Sequence, residues 1–75
     1  MPHIIVKLIP GRNEEQKKEL TDKIVQAVRE KVNAGESSIS VSFEEVPSEK
    51  WEDQVYKTDI LGKVKTLYKK PGYKY

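Results

Sequence analysis

The chain has no cysteine, and histidine and tryptophan occur once each, as His3 and Trp51. Without cysteine there is no disulfide framework, no thiolate nucleophile and no cysteine-ligated metal. A single histidine leaves no local metal site and no Ser-His-Asp triad. No apolar run is long enough to span a bilayer, and the start lacks the charged-then-apolar layout of a signal peptide. The expected location is therefore the cytoplasm, with no membrane partner. Charge of one sign is also lacking. Fourteen basic residues face 12 acidic ones, a net charge of +2, too even to mark a nucleic-acid binder. The basic residues lean toward the end, in Lys63, Lys65, Lys69, Lys70 and Lys74, which reads as a solvated helix face and tail in preference to a phosphate site. Seventy-five residues make one domain, 1–75, with 70–75 as a tail, and so small a chain is only marginally stable alone.

Residues 3–9 are apolar with a period of two. Ile4, Val6 and Leu8 share one face and Ile5 and Ile9 the other, which predicts a strand covered at least partly on both sides. Pro10-Gly11 ends it. Asn13 and Gln16 have capping-box spacing, and Glu14 and Glu15 fall where the helix dipole favours negative charge. Leu20, Ile24, Ala27, Val28 and Val32 then form an apolar stripe, and Gly35 is a plausible stop, so a helix is expected over about 13–33. Residues 38–46 alternate again, with Ile39, Val41 and Phe43 on the dry face. Strand, long helix and strand make a βαβ unit with parallel strands and a right-handed crossover. Beyond Pro47, Ser48 is a possible cap. Two short helices are expected, about 49–57 and 59–69, with Asp59 capping the second. The fold class is α+β.

Two strands are too few for a stable sheet, and both edges would be open. Self-association is the expected remedy, most simply about a two-fold axis.

Pro2 follows the start methionine, and a small second residue favours removal of that methionine. Removal would leave a free secondary amine on a rigid strand, although proline at this position is common and often means nothing. The strand from Pro2 to Ile9 spans roughly 25 Å at about 3.3 Å per residue, and Arg12 follows its far end. Arg12 is thus out of reach of Pro2 in the same chain. Antiparallel pairing of first strands from two copies would bring them together, giving sites shared between subunits.

With Pro2, the strand Ile4–Ile9, the segment Gly11-Arg12-Asn13-Glu14-Glu15-Gln16-Lys17 and the second strand, the chain resembles the 4-oxalocrotonate tautomerase family. The Trp51 region and the ending Lys69-Lys70-Pro71-Gly72-Tyr73 look most like the PptA-type branch of small bacterial tautomerases, which are dimers where the founding members are hexamers. The resemblance implies a keto–enol tautomerase without cofactor or metal, with the neutral amine of Pro2 as general base and acid. It matches Arg12 to the arginine that holds a substrate carboxylate. It places Trp51 at an aromatic wall, a role no better supported than that of a core or interface anchor. His3 is expected to be a neighbour of the site and not a catalyst.

Founding members carry a second arginine on strand 2 where this chain has Ser40. That departure disfavours a dicarboxylate and points to a 2-oxo monocarboxylate such as an arylpyruvate enol. Ser40 could offer a hydroxyl to substrate, though a solvent-facing polar residue is the simpler reading. If Met1 is retained, the Pro2 nitrogen is a tertiary amide and the protein is inactive. Two other readings stay open: use of the same proline in hydration or dehalogenation of an unsaturated acid, and a non-catalytic self-pairing module that binds through Lys69 and Lys70.

Overall fold

The computed structural model describes residues 1–75. His3–Leu8 forms β1 and Ser40–Glu45 forms β2. They pair in parallel, from His3 opposite Ser40 to Leu8 opposite Glu45, and the helix α1, Glu14–Val32, connects them. This is the expected βαβ arrangement. The register sets Ile4, Val6 and Leu8 beside Val41, Phe43 and Glu45 on one face. His3, Ile5 and Lys7 lie beside Ser40, Ser42 and Glu44 on the other.

Local chemistry explains the ends of α1. The Asn13 side chain accepts from the Gln16 amide at 2.8 Å, and the Gln16 side chain accepts from the Asn13 amide at 3.0 Å. This reciprocal cap satisfies two otherwise orphaned donors, and such a cap is worth about 1 kcal/mol. The helix stops at Asn33, which adopts the left-handed conformation (φ 58°, ψ 38°). Asn33 tolerates that geometry, so the stop precedes Gly35, which instead leads into a 3₁₀ turn, Glu36–Ser38. That turn takes Ser38 and Ile39 out of the expected strand.

Lys17 of α1 reaches Glu45 at 3.2 Å, which sets the helix over the first face of the sheet. Thr21, Ile24, Val25 and Val28 are half-buried there. The apolar stripe is only partly covered, since Leu20, Ala27 and Val32 remain exposed. Ile5 and Ile9 on the other face of β1 are also exposed, at 49% and 42%, so one chain does not cover both sides of its first strand.

The C-terminal part differs most from expectation. In place of two helices, one turn of α-helix, α2 (Ser48–Trp51), runs directly into a π-helical segment, Glu52–Leu61. A 3₁₀ turn, Val64–Thr66, follows. Val55 and Tyr56 lie four and five residues after Trp51, and Ile60 five and four residues after them; a wider turn keeps the four on one side where an α-helix would let them drift. Pro47, not Ser48, occupies the N-cap position of α2, with no side-chain cap. Asp59 is not a cap either. It lies inside the π segment and accepts a 2.6 Å hydrogen bond from Lys7 Nζ on β1. Val46, Val55 and Tyr56 are the three buried residues of the chain.

Two outcomes follow. Gly62 closes the π segment by donating its amide to the Lys57 carbonyl at 2.9 Å. A Cβ there would come within 2.6 Å of the Thr58 carbonyl oxygen. Gly62→Ala is therefore expected to lower stability by about 1–3 kcal/mol in denaturant titration, with loss concentrated in the C-terminal segment by hydrogen exchange. The second concerns pH. The hydrogen bond from Lys7 holds the Asp59 carboxyl below its ordinary 3.8, and the same bond raises Lys7 above 10.5. The Asp59 contribution is complete above the ordinary carboxylate value and is lost as pH falls through the lowered one. The Lys7 contribution is complete below 10.5 and is lost as pH rises through its raised value. Melting temperatures of wild type and Asp59→Asn should thus differ steadily across neutral pH and converge in acid.

Candidate active site

Pro2 lies at the mouth of the parallel ladder. Its carbonyl accepts from the Ser40 amide at 3.2 Å, so hydrogen bonding extends one residue beyond β1. The Pro2 ring is half-buried, whereas Met1 is fully exposed. Next to it, His3 Nδ1 and Ser40 Oγ are 2.6 Å apart. The structure therefore brings Pro2, His3 and Ser40 together. The Ser40 hydroxyl is exposed and already partnered by His3. With Met1 attached, the Pro2 nitrogen is an amide nitrogen without basicity.

Arg12 and Trp51 lie toward the other end of the strands. Leu8 and Glu45 are register partners; Arg12 follows the first and α2 follows the second. About 20 Å of strand separates Leu8 from Pro2. Arg12 is exposed. Trp51 is half-buried, and its Nε1 donates to the Tyr73 hydroxyl at 2.8 Å. None of the four clefts of the single chain includes Pro2, Arg12, Ser40 or Trp51. One chain carries the residues at two ends of its sheet and does not close a pocket around them.

Three side chains, Lys7, Asp59 and Tyr73, take partners that sequence reasoning misses. The Lys7–Asp59 pair joins residues 52 apart, and nothing in local spacing announces it. Tyr73, expected in a tail, carries no regular secondary structure but packs against Tyr56, with ring centroids 5.7 Å apart. The Pro71-Gly72 turn before it was a usable signal, because a turn reverses the chain and lets a following aromatic fold back.

Residues 2–55 match the family described as Tautomerase enzyme. The chain belongs to the 4-oxalocrotonate tautomerase family. A probable tautomerase of Xylella fastidiosa is 41% identical over 73 residues, covering 97% of this chain and 89% of that one. Tautomerase PptA of Pectobacterium carotovorum is 38% identical and covers 100% of both chains. A solved 4-oxalocrotonate tautomerase isozyme from Methylibium petroleiphilum is 40% identical, with a TM-score of 0.63 over 67% of this chain and 81% of that chain. This tautomerase thus shares its βαβ fold with 4-oxalocrotonate tautomerases, and Pro2, Arg12, Ser40 and Trp51 all fall inside the family match. The PptA relatives continue through the C-terminal segment, where the family match has ended.

Proposed function

We propose that this tautomerase catalyses keto–enol tautomerisation of a 2-oxo monocarboxylate such as an arylpyruvate enol, with the Pro2 amine as general base and acid once Met1 is removed. The observation that carries the reading is the ladder bond from Ser40 to the Pro2 carbonyl. It fixes the start of the chain on the sheet, so that the amine released there is immobile. An ordinary terminal amine has a pKa near 8 and is mostly protonated at neutral pH. Partial burial and a nearby guanidinium both disfavour the ammonium form and draw the pKa toward the working pH, where one atom serves as base and then as acid.

The proton balance is simple. The neutral amine takes the enol hydroxyl proton, and the C–O bond becomes a carbonyl. The C=C electron pair collects the proton from the resulting ammonium at the adjacent carbon. The product is the ketone, and the amine is regenerated without cofactor or metal. Arg12 holds the substrate carboxylate in a bidentate pair and steadies enolate charge. Trp51 walls the aryl group. Ser40 sits where a second cationic clamp would be needed for a dicarboxylate, and its hydroxyl supplies no charge.

A second copy completes the site in this reading. Three buried residues are too few for a stable monomer, and the outer edge of β1 is unpaired in the two-stranded sheet. Antiparallel pairing of two β1 strands closes that edge and sets Pro2 of one copy beside the Arg12 end of the other. A homodimer with two shared sites is the smallest such assembly, and a hexamer would join three such dimers through a second contact. We place the protein in the cytoplasm, a location in keeping with a cysteine-free chain in which no helix is long and apolar enough to cross a membrane.

Subunit complementation tests both halves. Pro2→Ala and Arg12→Ala should each lose about 10²–10⁴-fold in turnover of enol-phenylpyruvate. Unfolded and refolded together in equal amounts, they should recover about a quarter of wild-type activity as a dimer, because half the dimers are mixed and each mixed dimer keeps one native site. No recovery overturns the shared site. Full activity in protein shown by intact mass to retain Met1 overturns the amine mechanism.

A further inference from the structure

We propose that Tyr73 is the positioning residue for Trp51, and that through it the C-terminal strap, residues 70–75, sets the preference of the site for an aromatic substrate side chain. The inference rests on the reading of Trp51 as the wall of the substrate pocket, and deepens it.

Indole has one donor, and here that donor is committed to the Tyr73 hydroxyl at 2.8 Å. The ring is thereby fixed in rotation, and what it can offer a ligand is its face, not its N–H. Trp51 sits where α2 runs on into the π segment, so its backbone is set by the helix. The rotation of its indole ring is set by the bond to Tyr73. Tyr73 is held in turn by a triangle of rings. Tyr56, 8% exposed, lies 5.7 Å from Tyr73 and 5.0 Å from Tyr75, and Tyr73 and Tyr75 are 6.0 Å apart. These are edge-to-face and tilted contacts of the kind aromatic rings favour. A line of constraint therefore runs from the buried Tyr56, through Tyr73, to the indole.

The rest of the strap is loosely seated. A cleft of ≈ 360 Å³ lies between it and the π segment, lined by Ile60, Leu61, Val64 and Leu67. The strap is therefore held at its aromatic tip and not by dense packing along its length. An indole so fixed presents a flat surface that stacks on an aryl group and gains little from a methyl group.

The test compares two enols, enol-phenylpyruvate and enol-pyruvate, in wild type, Tyr73→Phe, Trp51→Phe and the double variant. Tyr73→Phe keeps the ring triangle and removes only the hydroxyl. It should lower the aryl-over-methyl preference in kcat/KM by about two- to tenfold, the loss expected from one neutral hydrogen bond. The change should appear in KM for the aryl substrate and not in kcat. In the Trp51→Phe background the same substitution should have no further effect. Trp51 is the sole tryptophan, so its emission should shift in Tyr73→Phe without any substrate present. Equal loss on both enols, or unchanged emission, overturns the inference while the amine mechanism stands on its own dependence on Pro2. If Trp51→Phe leaves the aryl preference intact, the wall itself fails and the inference fails with it.

Discussion

The Ser40 amide bonds to the carbonyl of the second residue, and much of what this small protein can do depends on that contact. Chain ends ordinarily fray. Ordering a frayed residue costs about 1–2 kcal/mol of conformational free energy. Here the sheet has already ordered Pro2. The proline ring adds its own restriction, since its backbone torsion is fixed by a covalent ring. The same strand that fixes one group also keeps others away. Six extended residues of β1 act as a spacer, so the rigidity that locates Pro2 also holds Arg12 toward the far end of the strand.

The chain is held together with little buried apolar surface. Its two layers meet through half-buried aliphatic residues, and the C-terminal segment is attached to the sheet by a polar latch. Lys7 sits between Asp59 at 2.6 Å and Glu44 at 4.0 Å, and Asp59 also has Lys63 at 3.8 Å. Isolated surface pairs add little, but this group is part-buried and links separate elements. It fixes where the π segment crosses β1. The apolar contacts of Val55 and Tyr56 then supply burial once that placement is made.

What was legible in the sequence was what neighbouring residues decide among themselves. The cap at Asn13 and Gln16, the alternation in both strands and the length of α1 are consequences of short-range geometry, and the parallel βαβ arrangement follows from their order. The candidate site was legible as residue types: Pro2, Arg12, Ser40 and Trp51 stand out by chemistry or by likeness to the family. What could not be read depends on partners far along the chain. Asp59 has the composition of a helix cap, and only its meeting with Lys7 shows otherwise. The break expected between residues 57 and 59 does not occur, because the wider turn of the π segment carries the chain through it. Tyr73 looked like part of a free end because its partner is an indole on another element. Asn33 stopped the helix before Gly35 could, a competition between two permissive residues that composition does not rank.

The π segment has a consequence for how the sequence can change. Bonding from Gly62 back to Lys57 takes in one residue more per turn than an α-helix would. Removing any single residue between Glu52 and Leu61 with the wide coil retained would turn everything beyond by one residue's share of a turn around the axis. Asp59 would then face away from β1, and the strap would carry its aromatic tip past the indole. This stretch can absorb many exchanges of side chain, yet its residue count is locked. Insertions and deletions that ordinary loops tolerate would here act as frame errors in three dimensions.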